Sequence, residues 1–261
     1  MTKYLALDVT FIYVFHADSM ERLENLLMSV QHLLRILNTN VYVLEVASNY
    51  NGIVKKILNW KVRYEFFEDD DPILYRTHYL NYMLNRVSTP FVAVIDSDVI
   101  IPKNQILESV NMLRNEQAYF VLPYRLKFMD TSTILRKMYM KSRNIKILTK
   151  NIDKMKMMNP PHPVGGVYFC DLETYRQLGF ENEKFYGWGA EDGERFYRWN
   201  SSEYRIMEID GAVFHLSHPR ILNSNYQNRE QQQIKMRYLN QALNKSENGF
   251  YHRQENNRDT L

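Results

Sequence analysis

The chain of 261 residues carries 33 Lys or Arg against 30 Asp or Glu, a net charge of +3 that is too slight to argue for a nucleic-acid partner. Hydrophobic residues make up 45%, enough for one large core. The mean hydropathy of −0.47, with no apolar run near the roughly 20 residues that span a bilayer, excludes an integral membrane protein. The single cysteine, Cys170, excludes an internal disulfide and fits a reducing cytoplasm, where it reads as core filler.

The opening MTKYLALDVTFIYVF has neither a charged n-region nor a small-residue cleavage site and reads as an internal strand, with Thr10 to Phe15 its apolar part. His16-Ala17-Asp18-Ser19 supplies a turn and an N-cap. From Met20, Leu23, Leu26, Leu27, Val30, Leu33, Leu34 and Leu37 recur at helical spacing, predicting an amphipathic helix that ends near Asn38 to Asn40. Val41 to Val46 is then a second strand, and this β-α-β start predicts parallel neighbours. Glu45 and Ser48 lie near its carboxyl end, where a side chain meets either a nucleotide or solvent. A short helix over Ile53–Leu58 and a short strand over Val62–Phe67 lead into Glu68-Asp69-Asp70-Asp71, which reads as a solvated loop before Pro72 rather than a metal cluster. Tyr75 to Asn85 is helical, and its Arg76 suits a diphosphate or an ordinary surface position.

Phe91 to Ile95, FVAVI, has the continuous apolar character of a central strand buried on both faces, and it ends abruptly in Asp96-Ser97-Asp98. Ligand crevices of open α/β sheets lie beyond the carboxyl ends of the strands. In an extended segment Asp96 and Asp98 point the same way, so they converge on one cation; the alternative is a pair of solvated aspartates at a turn. A helix over Asn104–Arg114 and a strand over Tyr119–Leu122 follow. Between Arg125 and Lys156 stand ten Lys or Arg against only Asp130 and Asp153. Ile134, Leu135, Met138, Ile145 and Leu148 add a partial apolar stripe, the pattern of a basic amphipathic helix on an anionic membrane or of a solvated helix packed on its own domain. No strand is expected here, so 125–158 reads as an insertion or flexible arm.

Val164 to Asp171, VGGVYFCD, returns to strand character behind Gly165 and Gly166, which permit close approach of the backbone to a ligand or simply mark a turn. A short helix closes at Tyr175–Gly179. Gly187-Trp188-Gly189-Ala190-Glu191-Asp192-Gly193-Glu194 then breaks from ordinary scaffold, with Trp188 between two glycines and two carboxylates ahead of a helix over Glu194–Asn200. Those carboxylates alone can be explained by the helix dipole; Trp188 cannot. Tyr204–Ile209 and Ala212–Leu216 read as a last hairpin turning at Asp210-Gly211, and it ends in His215 and His218, two imidazoles in four residues at a strand end. Residues 1–220 form the expected domain, followed over 221–261 by a polar helix near Glu230–Leu243 and a disordered end.

Together these residues resemble a nucleotide-sugar glycosyltransferase of the GT-A fold, an α/β fold with a mostly parallel central sheet, over roughly residues 8 to 220. Asp96-Ser97-Asp98 matches the DxD motif, and Gly187 to Glu194 resembles the WG(W)GxED segment of the β-1,4-galactosyltransferases and of chondroitin-polymerase and polypeptide N-acetylgalactosaminyltransferase domains. The resemblance implies that Asp98, with Asp96 directly or through water, and His218 ligate a metal, His215 matching a further ligand. It implies Asp192 as catalytic base, Glu191 as acceptor-binding acid and Trp188 as sugar-stacking aromatic, with Gly165, Gly166 and Gly187 beside the sugars. Phe15, His16, Asp18 and Arg22 are similar to the nucleotide-binding first loop, joined by Glu45, Arg76 and Ser97. Ala190 stands where the family has glycine, and the paired histidines leave the principal ligand open.

A departing diphosphate needs a Lewis acid, and the mixed oxygen and nitrogen donors suit Mn²⁺, with Mg²⁺ the harder alternative. A single base on the other face favours inversion. The expectation is an inverting, metal-dependent hexosyltransferase of a cytoplasmic, bacterial type. It takes a UDP-sugar, bearing Gal or GalNAc, and a glycan or lipid-linked glycan acceptor in surface polysaccharide synthesis, with possible peripheral contact at the inner membrane face and no nucleic acid. A binding domain on the same scaffold, or a nucleotidyltransferase, remains open; against the latter, FIYVFHADSM has no Gly- and Lys-rich loop.

Overall fold

Long apolar runs form the strands that organise the protein, whose computed structural model describes residues 3–256, with side chains as far as Ser246. In chain order these are β1 (Tyr4–Phe15), α1 (Met20–Ile36), β2 (Leu37–Ala47), α2 (Ile53–Ile57), β3 (Arg63–Glu68), α3 (Arg76–Leu84), β4 (Phe91–Ile95) and β5 (Val99–Ile100). There follow α4 (Lys103–Arg114), β6 (Phe120–Leu122), β7 (Lys127–Asp130), α5 (Thr133–Ser142), α6 (Lys146–Thr149) and β8 (Lys156–Met157). The last are β9 (Val167–Asp171), α7 (Leu172–Gln177), α8 (Glu191–Asn200), β10 (Ile206–Glu208), β11 (Ala212–His215) and α9 (Arg229–Asn256). The main sheet has seven strands in the order β10-β6-β9-β4-β1-β2-β3, and a smaller sheet runs β5-β11-β7-β8.

The main sheet is mostly parallel, as expected. β1 runs parallel to β2 and β4, β2 to β3, and β10 to β6, while β9 is antiparallel to β4 and β6. Val92 to Ile95 are at most 1% exposed because helices cover both faces. Under one face Phe11, Ala93 and Val121 pack with Leu26, Val30 and Val110; under the other Val94, Phe120 and Tyr168 pack with Leu80, Tyr175 and Trp199. The antiparallel strand has a functional consequence. Its amino end lies beside the carboxyl end of β4, with Val167 opposite Ile95, so Gly165 and Gly166 sit next to Asp96. Asp96 N donates to Gly166 O at 2.8 Å.

Several expectations are corrected. The basic 125–158 region is no arm, since β7 and β8 lie within it and pair in the smaller sheet. Phe128 and Met129, 3% and 7% exposed, are its strand signal, masked by flanking charges. Arg136 turns inward from α5, giving Nε to Asn25 Oδ1 at 2.9 Å and Nη2 to Glu24 Oε2 at 2.7 Å. Residues 204–216 do not form a hairpin, because β10 joins β6 in the main sheet and β11 crosses to sit between β5 and β7. The turn at Gly211, with φ of 139°, is a crossover between sheets. α1 ends at Ile36 and the chain goes straight into β2 at Leu37. The polar residues read as a helix stop instead fill a register irregularity between Ala6 and Thr10, where Thr39 Oγ1 donates to Ala6 O at 2.9 Å and Asn40 Nδ2 to Leu7 O at 2.8 Å. α9 runs to Asn256, past the expected end at Leu243; residues 257–261 of the expected disordered tail lie outside the described residues.

Trp199, 1% exposed, stacks on Phe120 at 4.1 Å and meets Tyr168 and Tyr175 edge-on, tying α8 to the sheet. Trp199→Ala is expected to lower unfolding stability by about 3–5 kcal/mol in urea titrations; a loss below about 1 kcal/mol would show that α8 docks without it.

Candidate active site

A cavity of ≈ 350 Å³ opens at the carboxyl ends of β1 and β4. Of the site residues singled out in the sequence, its lining includes all except Phe15, Glu45, Ser48 and Gly187. Phe15 is buried in the core, and Glu45 is buried with its Oε2 accepting from the Tyr64 hydroxyl at 2.5 Å, so neither reaches a nucleotide in this cavity. Gly187, at φ 70°, instead lies against Gln227 and Ile73, where a Cβ would come within 2.1 Å of Gln227 Nε2.

On one wall the smaller sheet gathers three donor groups. His215 pairs with Val99 of β5 on one side and Asp130 of β7 on the other, and Leu216 N donates to Asp98 O at 2.7 Å. Asp98 Oδ2 therefore lies 3.6 Å from His215 Nε2 and 3.2 Å from His218 Nε2. Each imidazole is oriented from behind. His215 Nδ1 donates to Asp130 Oδ1 at 2.7 Å and His218 Nδ1 to Pro219 O at 2.8 Å, since a carboxylate and a carbonyl only accept. Both Nε2 atoms are left facing Asp98, the arrangement that fixes the tautomer of metal-binding histidines. One carboxylate oxygen and two imidazole nitrogens, all within 4.8 Å of one another, fit a divalent cation such as Mn²⁺. Burial disfavours charge on both partners, yet the histidines hold Asp98 well below the usual carboxylate range, and Asp98 with Asp130 raises His215 to about 9.

Asp96 does not join this cluster. The chain turns at Ser97–Asp98, with Val99 N donating to Asp96 O at 3.1 Å, so the alternation of an extended strand is lost between the two aspartates. Asp96 Oδ1 instead accepts from Arg76 Nη2 at 2.5 Å. Burial raises the Asp96 pKa and Arg76 opposes it. The other Arg76 nitrogen, Nη1, is buried without a hydrogen-bond partner, a donor left for a ligand. Nearby, His16 Nδ1 meets Val46 O at 2.7 Å, and Arg22 pairs with Asp18 at 3.0 Å while giving Nη2 to Ser224 Oγ at 2.6 Å.

The opposite wall is the start of α8. Gly189 and Ala190 both have positive φ, 105° and 72°, and release the chain into a helix whose first residues are Glu191 and Asp192. An alanine in the left-handed region is strained by about 1–2 kcal/mol, where glycine adopts it freely. Asp192 Oδ1 accepts from Arg195, which is 1% exposed and gives its other terminal nitrogen to both oxygens of Glu181 at 2.9 and 3.0 Å. Glu181 is in turn held by the hydroxyls of Tyr168 and Tyr175 at 2.6 and 2.7 Å. The free Asp192 Oδ2 crowds Gly165, where a Cβ would stand 2.1 Å away. Glu191 is nine-tenths buried with Oε2 unpartnered; burial and Asp192 push its carboxyl up to about 7, against Arg76. Trp188, 37% exposed, stands edge-on to Tyr226 at 5.2 Å, and its carbonyl accepts from the buried Lys235 of α9 at 2.7 Å.

Asp130, Arg195, Glu181, Tyr226 and Lys235 were not anticipated. Arg195 stands three residues after Asp192, a helical spacing that could have revealed it; Tyr226 and Lys235 fall in the polar stretch taken as an appendage, although Asn223, Ser224 and Tyr226 line the cavity.

A family model described as the N-terminal domain of galactosyltransferase matches residues 146–220, the stretch that holds Gly165-Gly166, the GWGAEDGE segment and both histidines. Among solved structures the chain is similar to the catalytic domain of Drosophila beta1,4galactosyltransferase 7 in complex with xylobiose, at 13% identity and a TM-score of 0.53, over 89% of this chain and 79% of that one. It is also similar to GalNAc-T7 with UDP, GalNAc and Mn²⁺, at 12% identity and a TM-score of 0.57, over 90% of this chain and 48% of that one, so it spans about half the length of that neighbour. No curated protein matches by sequence. The fold is GT-A, and with the galactosyltransferase segment it defines a glycosyltransferase.

Gly165→Ala is expected to displace Asp192 and reduce transfer by about 100-fold; unchanged turnover in the folded variant would show that Oδ2 is not needed where it stands. Glu191 supplies a pH test. Its unfolded carboxyl ionises from about 4.5 and its folded one from about 7, so stability falls as pH rises through that window. Glu191→Gln should therefore raise the thermal midpoint at pH 8 and leave it nearly unchanged at pH 4; equal effects at both would place its ionisation elsewhere.

Proposed function

We propose that the protein transfers a hexose, Gal, GalNAc or similar, from a UDP-sugar to a glycan hydroxyl, with inversion and in a metal-dependent manner. One observation carries the reading: the Asp98–His215–His218 cluster faces, across one cavity, an Asp192 whose carboxylate is packed against a glycine. Asp98, His215 and His218 hold the divalent cation, Mn²⁺ or Mg²⁺, which when bound supplies Lewis-acid stabilisation to the departing diphosphate. Arg76, with a free buried Nη1, adds a charge-assisted hydrogen bond to the same oxygens. His16, Asp18 and Arg22 border the nucleotide end.

On the acceptor side Asp192 takes the proton of the attacking hydroxyl through Oδ2, while Arg195, bonded to Oδ1, holds the carboxylate aimed. Glu191, neutral over part of the physiological range, hydrogen-bonds the acceptor, and the Trp188 face stacks on a sugar ring. The presence of xylobiose in the Drosophila structure and of UDP, GalNAc and Mn²⁺ in GalNAc-T7 supports a sugar nucleotide, a glycan and a divalent cation as the kinds of ligand. The acceptor in this reading is a growing surface polysaccharide of a bacterium, extended on the cytoplasmic side; the one cysteine, buried and free, is in keeping with a reducing compartment.

The test is release of UDP from a panel of UDP-sugars with Mn²⁺ or EDTA, with and without oligosaccharide acceptors. One donor should be turned over only with metal, and Asp98→Ala should abolish both turnover and calorimetric Mn²⁺ binding. Asp192→Asn should retain UDP binding and lose about 10²–10⁴-fold in transfer rate. Absence of any nucleotide binding overturns the proposal.

A further inference from the structure

A second cavity, of ≈ 530 Å³, lies along the length of α1 past the turn that carries Asp18 and Arg22 to the first one. Arg35, which lines it, is 13 residues beyond Arg22, a rise of about 20 Å along the helix. Four cations from four separate segments line this cavity: Lys3, Arg35, Lys61 and Arg143. No carboxylate lines it, and none of the four makes an ion pair among the described residues. Like charges brought together without a counterion repel one another, so the fold holds here a charge deficit that an anion would offset. Leu27, Leu34 and Leu58 add apolar surface to the same lining.

The rim distinguishes among anions. Trp60 is 86% exposed and lies between Asn59 and Lys61, both of which line the cavity. Ile57 of α2, also in the lining, is 39% exposed. α5, whose Tyr139 and C-cap Arg143 line the cavity, also carries Met138 and Ile134, 48% and 71% exposed, interleaved with exposed Lys137 and Lys141. A small soluble anion needs only the cations. Exposed tryptophan and aliphatic side chains set among lysines match a headgroup region, where the apolar ends enter the acyl boundary and the ammonium groups stay with phosphates. We propose that this face docks the protein on an anionic phospholipid surface, with a lipid phosphate seated in the cavity. The basic helix is then one edge of a composite site that also takes in α1 and the α2–β3 loop. The proposal does not depend on the identity of the donor or acceptor of the first cavity.

The test is co-sedimentation of the whole chain with vesicles of phosphatidylcholine alone or mixed with phosphatidylglycerol. Binding is expected only to the mixed vesicles, with loss at 0.5 M salt and a weakening of about fivefold for each cation neutralised. Lys61→Gln with Arg143→Gln should thus weaken it about 25-fold, and Trp60→Ser should weaken it without altering the salt dependence. Circular dichroism and metal-dependent nucleotide binding serve as folding controls, since none of these residues touches the first cavity. Equal binding to neutral vesicles, no binding to either, retention of single-stranded RNA in place of vesicles, or unaltered binding by the double variant each overturns the proposal. Competition by millimolar glycerol phosphate as strong as that by anionic vesicles would assign the cavity to a soluble phosphate and overturn it likewise.

Discussion

The site depends on matching charges that cannot be left alone. Asp96, Asp98, Glu181, Glu191 and Asp192 converge on or just behind one cavity, most of them withdrawn from water, where unpaired carboxylates are costly or become protonated. Each is settled in its own way. Asp98 faces two imidazoles, Asp96 has Arg76, Glu181 has Arg195 and two tyrosines, and Asp192 shares Arg195. Glu191 has no oppositely charged hydrogen-bond partner, and its proton affinity rises accordingly. The arginines behind the site are therefore as much part of it as the acids in front. Removing one member of such a buried pair strands the other, which costs about 3–5 kcal/mol in typical cases.

That matching is what the backbone arranges. The reversal of β9 lays Gly165 beside Asp96, and the absence of a side chain there lets the start of α8 come close enough for Asp192 to face the cavity. The insertion of β11 between β5 and β7 brings His215 between Asp98 and Asp130. The smaller sheet thus presents one wall, with three side chains that could hold a metal, and the start of α8 presents the other, with a carboxylate fixed by a buried guanidinium.

Much of this was legible in the chain. FVAVI followed by Asp96-Ser97-Asp98 marks a buried strand and its functional end, and Trp188 with Glu191-Asp192 stands out because no helical or strand pattern accounts for it. The pairing of Asp96 with Arg76 was hidden, because a turn at Ser97 replaced the extended geometry that alternation assumes. Short strands in charged surroundings were hidden too. Lys127-Phe128-Met129-Asp130 gives only two apolar residues to a pattern search, and its strand state is imposed by neighbours distant in the chain. The polar stretch after residue 220 shows no apolar run, so nothing local marked Tyr226 or Lys235 as partners of Trp188.

The order of the strands in the smaller sheet has a consequence for the life of the chain before it is finished. β5 and β7 are made early but are not neighbours; the strand that lies between them is the last of the sheet to be synthesised. Until His215 and His218 have emerged, Asp98 is an acid near acids with no imidazole, and the DxD sequence exists without a chelating centre. The three side chains that could hold a divalent ion are therefore brought together only after the last strand of this sheet has been made.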